Sequence, residues 1–252
     1  MKKLNIIGAA LALAAASVTS ANAGVAGSAH DFAKEAWNVN ADICGPCHMA
    51  HGSDPNNQLI PLWSRAVPTA TWTPFVSPHG TTIGSPKDAS LACLSCHDGT
   101  VAYNQLKGQT VGTPQYVQGD YVIGQGAQRD LRGDHPISFD YNEAVTKSPT
   151  NTLKLPSEVL SSAATLPPGN TLNGQTVQQA FLKKGTGLAG NTAIQCTSCH
   201  DIHRSVGDSG FNSDKSTFAQ PGHNPLLVVF STQGRLAGDT YGSALCRSCH
   251  NK

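Results

Sequence analysis

Charge is scarce in this sequence of 252 residues: Asp, Glu, Lys and Arg make up 13% of it. That scarcity excludes a disordered chain held open by its own repulsion. The 17 basic and 16 acidic residues nearly cancel, so bulk charge offers no footprint for nucleic acid or an anionic membrane surface. Aromatics are scarce at 6%, and all hydrophobic residues reach only 39%, while glycine and proline number 25 and 15. Such numbers make a thin aliphatic core, and a covalent cofactor is one staple that compensates for it. Beyond the first residues long apolar runs are missing as well. The longest, at 226–230, is a strand's worth and far short of a membrane span.

Residues 1–23 are the exception. Lys2 and Lys3 precede an apolar stretch at 4–18, and Ala21-Asn22-Ala23 is a small-x-small cleavage site. This predicts a signal peptide rather than a retained anchor, with the mature chain starting at Gly24 and carrying no membrane span. Losing Lys2 and Lys3 turns the formal net charge from +1 to −1. A charge so close to zero permits self-association. The expected location is extracellular or at the cell surface, with the periplasm as the alternative.

Cysteine occurs in one pattern only. The eight residues form Cys44-Gly-Pro-Cys47-His48, Cys93-Leu-Ser-Cys96-His97, Cys196-Thr-Ser-Cys199-His200 and Cys246-Arg-Ser-Cys249-His250. C-x-x-C-H is the attachment signature of c-type haem. The two intervening residues separate the sulfurs by the span of the haem vinyl groups, and the adjacent imidazole becomes the proximal iron ligand. Disulfides or structural zinc would also use paired cysteines. Neither explains a histidine after every pair, which chance yields on the order of a few times in a million at ten histidines in the chain. Four haem c groups are therefore expected.

Six histidines remain for the opposite faces: His30, His51, His79, His135, His203 and His223. Met49, the only methionine after Met1, directly follows a proximal histidine and cannot swing round to the far face of its own haem. Without Met ligands the reduction potentials sit below those of His/Met cytochromes. His51 and His203 each stand three residues after a proximal histidine and share its face on a helical turn. Each can therefore reach only a second haem lying alongside, which implies closely packed haems.

The motifs start at 44, 93, 196 and 246, giving intervals of 49, 103 and 50. One tetrahaem domain at 24–252 is expected, built from two dihaem halves at about 24–107 and 130–252. Each half opens with C-x-x-C-H-x-x-H, closes with a plain C-x-x-C-H, and has one further histidine upstream. That symmetry selects His30, His51, His135 and His203 as sixth ligands. His79 and His223 lie in turn-like Ser-Pro-His-Gly and Pro-Gly-His-Asn-Pro contexts.

The fold class expected is mostly irregular coil with short helices, wrapped around a stacked haem core. Helices are predicted at 30–37, around each motif, and best of all at 175–184, with Lys183 and Lys184 in its last turn and Gly185 as its stop. Residues 108–132 read as loops with an occasional strand, and 153–174 as a surface excursion.

Several segments carry a family likeness in order: His30-Asp-Phe32, Cys44-Gly-Pro-Cys47-His48-Met-Ala-His51, Pro61-Leu-Trp-Ser-Arg65, Cys93-Leu-Ser-Cys-His-Asp-Gly-Thr-Val-Ala102, Asp134-His-Pro-Ile-Ser-Phe139 and Cys196-Thr-Ser-Cys-His-Asp-Ile-His203. Together they resemble the OmcE-like tetrahaem cytochromes, whose members polymerise into extracellular filaments. The resemblance implies bis-histidine haems in a continuous stack and electron passage between subunits. It also implies one sixth ligand supplied by a neighbouring subunit, with His30 on an N-terminal arm as the candidate. The Pro221-Gly-His223-Asn-Pro225 stretch departs from the family.

An electron conduit to external acceptors, fed by redox partner cytochromes, is thus the expected function, with no enzymatic turnover. A monomeric periplasmic shuttle uses the same haems. A multihaem reductase would need an open iron and a polar pocket, for which Arg65, Arg129, Arg132 and Arg247 are the available cations. A sensor has no partner domain through which to signal.

Overall fold

Glycine and proline at this density interrupt the backbone every few residues, and regular structure is correspondingly brief. The computed structural model describes residues 25–26, 28–49, 51, 60–68, 70–106, 109–124, 129–161, 172–203, 228 and 244–251. The expected signal peptide, His223 and all of 226–230 except Val228 lie outside the described residues. Among the described residues the α-helices are α1 (Asp88–His97), α2 (Tyr141–Lys147), α3 (Val177–Phe181), α4 (Cys196–Cys199) and α5 (Ala244–Arg247). The strands are β1 (Gln105–Leu106), β2 (Gln109–Thr110), β3 (Phe139–Asp140), β4 (Lys183–Lys184) and β5 (Asn191–Ile194). Coil joins them, and no helix is long and apolar enough to cross a membrane.

Local chemistry sets the boundaries. α1 stops where Gly99 takes φ +73° and its N–H bonds Cys96 O at 3.0 Å, the left-handed exit that glycine adopts without strain. α3 starts with a reciprocal cap: Thr176 Oγ1 accepts from the Gln179 N–H at 3.2 Å, and Gln179 Oε1 accepts from the Thr176 N–H at 2.9 Å. The helix expected over 175–184 ends early, at Phe181. Lys183 and Lys184 turn extended because β5 offers them an antiparallel ladder, and the three-stranded order is β3–β5–β4. The helix expected at 30–37 is a single 3₁₀ turn, Phe32–Lys34, yet Phe32 and Trp37 still meet, with ring centroids 5.5 Å apart.

Among the described residues the chain has an apolar core of its own. Phe139, Tyr141, Leu160, Leu172, Val177, Phe181 and Ile194 pack together, with Val228 and Ala244, and Leu245 and Cys249 lie against them. In 153–174, expected to be a surface excursion or linker, 162–171 lie outside the described residues and Leu155 and Val159 are exposed, while Leu160 and Leu172 are buried. Their segment is drawn inward by backbone bonds from Leu160 N–H to Gln175 O and from Lys154 N–H to Cys249 O, each 2.8 Å. Two smaller clusters sit beside other motifs: Ile60, Trp63 and Ala92 with Cys47, and Trp72, Leu94 and Leu131.

A polar network, buried at Ser90 and Gln195 and open to solvent at Thr186, ties α1 to the start of α4. Gln195 Oε1 accepts from the Ser90 and Ser138 hydroxyls, Ser90 Oγ accepts from the Cys196 N–H at 3.0 Å, and Asp88 accepts from Thr186 N–H and Oγ1–H at 2.9 and 2.6 Å. Residues more than a hundred apart in sequence are thereby locked, and the second motif lies against the third.

Candidate metal centres

Each C-x-x-C-H motif closes one helical turn. The His48, His200 and His250 N–H groups bond to the carbonyl of their motif's first cysteine at 2.8, 3.0 and 2.9 Å, while His97 is the last residue of α1. A turn of this kind sets both cysteines, three residues apart, on one side and the histidine beside them. Motifs one, three and four share a further device. The carbonyl of the second cysteine accepts a backbone N–H from a distant segment: Cys47 from Ser64 at 3.0 Å, Cys199 from Val228 at 2.8 Å, and Cys249 from Lys154 at 2.8 Å. The second motif is held differently, with Ile123 N–H on His97 O at 2.6 Å. The backbone thus braces motifs one, three and four alike and the second in its own way.

The histidines meet across the chain. His30 faces His97 with ring centroids 6.0 Å apart, His48 faces His203 at 6.1 Å, and His135 faces His250 at 6.3 Å. In each pair one ring belongs to a motif and the other does not. No known protein family and no curated protein matches this chain. The geometry has to speak for itself. His30, expected on an arm crossing to a neighbouring subunit, sits against a histidine of its own chain. His51 is exposed, and no ring faces it among the described residues; His79 is exposed also.

Three of these rings have a fixed proton. Nδ1 of His48, His97 and His135 lies 2.7, 2.9 and 3.0 Å from the carbonyls of Pro61, Tyr121 and Pro136. A carbonyl only accepts, so Nδ1 carries the hydrogen and Nε2 keeps its lone pair. Metal-binding histidines use this arrangement to fix their tautomer and aim the ligating nitrogen. His30 is kept neutral by other means. Burial first, then the neighbouring His97 and His200, bring its pKa from 6.5 down to about 4.

The eight thiols are free and form a run of neighbours. Burial pushes Cys47 up to about 11, with Arg65 pulling the other way and Cys96 adding a smaller push. Cys93 donates a hydrogen bond to the Cys196 sulfur, which brings Cys196 down to about 7 and raises Cys93. Cys199 is held up at about 11 by burial, then by Cys196 and Cys246. Motifs one and two, two and three, and three and four thus lie within electrostatic reach of each other. Among the described residues no cluster of three or more His, Cys, Asp or Glu side chains encloses a bare ion.

Two of the arginines are paired with carboxylates among the described residues. Arg129 Nε pairs with buried Asp98 at 3.1 Å, and Arg132 pairs with its near neighbour Asp130 at 2.6 Å on the surface. Sequence reasoning missed the Asp98–Arg129 lock, which together with the Thr100 hydroxyl on Asp98 Oδ1 at 2.6 Å shapes the exit from the second motif. Its one signal was the Cys-His-Asp-Gly-Thr string. The carbonyls on Nδ1 had no signal, because a backbone oxygen is the same at every position.

Proposed function

We propose that this chain transfers electrons through four covalently attached c-type haems, one at each C-x-x-C-H motif. One observation carries the reading: three pairs of imidazoles, each joining a motif histidine to an outside one, with centroids 6.0–6.3 Å apart. Two imidazoles bound to one metal ion through nitrogens about 2 Å from it hold their centroids about 6 Å apart. Each pair offers only two nitrogens, so the remaining ligands must come from a macrocycle, which the neighbouring cysteine pair would anchor. The residues present fit the group. His200 and His51 remain as the fourth proximal and sixth-ligand histidines in this reading.

When bound, haem supplies one-electron chemistry at iron. The chain does the rest. Its paired imidazoles would hold the iron and leave no room for exogenous ligands, carbonyls on Nδ1 orient the rings, and the neighbouring cysteines would keep successive groups close together. The reading extends, through the OmcE-like resemblance, to a subunit of an extracellular filament that passes electrons outward without turning over a substrate.

Mass spectrometry of purified protein is expected to show four haems per chain, and its spectra to be low-spin. The reduced, untreated protein is expected to bind no carbon monoxide. A high-spin ferric band, or carbon monoxide uptake before any denaturing treatment, would replace the conduit with a catalyst. Electron micrographs decide the last step, since a monomeric shuttle shows only single particles.

A further inference from the structure

Arg65 is the most deeply buried arginine among the described residues, with 3% of its surface exposed. Its Nη1 donates to Pro46 O at 3.0 Å and Gln105 O at 3.4 Å, and its Nη2 to Ala102 O at 2.6 Å. These carbonyls satisfy hydrogens without neutralising the charge. Among the described residues Arg65 has no ion pair with any carboxylate, and its buried Nε–H has no acceptor. A buried cation without a counter-charge is costly, and one that persists is usually paired.

Its surroundings repeat the deficit. Trp63, two residues earlier, is buried with its indole N–H unpartnered. The Trp63 ring meets the edge of the His48 ring at 6.3 Å and packs in the same apolar cluster as Cys47. Arg65 itself bonds the carbonyl of Pro46, inside the first motif. Two donor-only groups therefore wait for an acceptor beside the first attachment site, and one of them needs a negative charge.

We propose that Arg65 and the indole N–H of Trp63 receive a propionate of the haem attached at Cys44 and Cys47. The proposal rests on the four-haem reading. A carboxylate supplies both what the site lacks, an acceptor and a charge, and guanidinium-to-carboxylate bonds are among the strong charge-assisted ones. Arg65 is then a positioning and tuning residue. By neutralising the propionate it removes negative charge from beside the ferric iron and raises that haem's potential.

The test compares the holoprotein with the Arg65→Gln, Arg65→Lys and Trp63→Phe variants. Haem is counted by the pyridine haemochrome, and the four midpoint potentials are resolved by spectroelectrochemistry. With four haems retained, Arg65→Gln is expected to lower one potential and leave three unmoved, while Arg65→Lys keeps that potential near the wild-type value. Trp63→Phe changes no charge and is expected to lower the same potential by a smaller amount. A shift in Arg65→Gln with none in Trp63→Phe overturns the shared contact and leaves only charge at a distance. Four unmoved potentials in both overturn the proposal outright. If Arg65→Gln does not accumulate with haem, Trp63→Phe decides alone. Absence of haem from the wild-type protein sinks the underlying four-haem reading instead.

Discussion

His30 shows how one residue's surroundings set its chemistry. It is a lone histidine in the sequence, yet it is packed against His97 with a pKa of about 4 in place of 6.5. If four haems are attached as proposed, replacing it by alanine is expected to leave one iron open at neutral pH. The reduced His30→Ala protein should then take up one carbon monoxide per chain, read from the change in the Soret band. The lowered pKa also carries a stability consequence. The unfolded chain binds a proton at His30 more readily than the folded one, so stability is lost as pH falls from about 6.5 toward 4 and is unaffected above that range. Iron ligation at this ring acts in the same direction. Melting temperatures measured across pH 4 to 8 are expected to be flat above pH 6.5 and to decline below it, and the decline should be shallower in His30→Phe.

Between elements, the contact of α1 with α4 depends on polar atoms that have no water to fall back on. Gln195 is almost wholly buried, and its Oε1 serves the hydroxyls of both Ser90 and Ser138. Gln195→Leu strands those donors and is expected to cost about 1–3 kcal/mol, the penalty of unsatisfied buried groups. Urea unfolding monitored by far-UV circular dichroism measures it. Phe181, also buried, closes α3 onto the main core. Phe181→Ala leaves a cavity and is expected to cost about 3–5 kcal/mol, with a lower midpoint in the same titration. An equal loss from an exposed control such as Tyr116→Ala would contradict the assignment of this core.

Across the whole molecule, several buried donors have no acceptor among the described residues. The indole N–H groups of Trp37, Trp63 and Trp72 and the Nε–H groups of Arg65 and Arg247 are buried without acceptors. Each such buried donor carries a desolvation penalty that a bound acceptor would relieve. Protein made without haem attachment is therefore expected to melt well below the loaded form and to expose tryptophan to solvent. Calorimetry together with intrinsic tryptophan fluorescence checks both, and equal stability of the two forms would contradict it.

What could be read from the sequence was the local chemistry. The four Cys-x-x-Cys-His strings place their thiols and imidazole on one turn because only a few residues decide a turn. Thr176 with Gln179 marks a helix start for the same reason. The length of α3 was not legible, because Phe181 to Lys184 continue a helical pattern and only the presence of β5 makes extension more favourable. Nor was the burial of Leu160 and Leu172, in a segment whose prolines read as surface. Which histidine faces which was decided by tertiary structure alone. His48 and His203 are neighbours through folding over more than 150 residues, and nothing in either one's flanking sequence records the other. Sequence determines the ligands a site has to offer, because those are side-chain chemistry. Their pairing is set by long-range packing, where the contacts are made between segments that carry no local mark of one another.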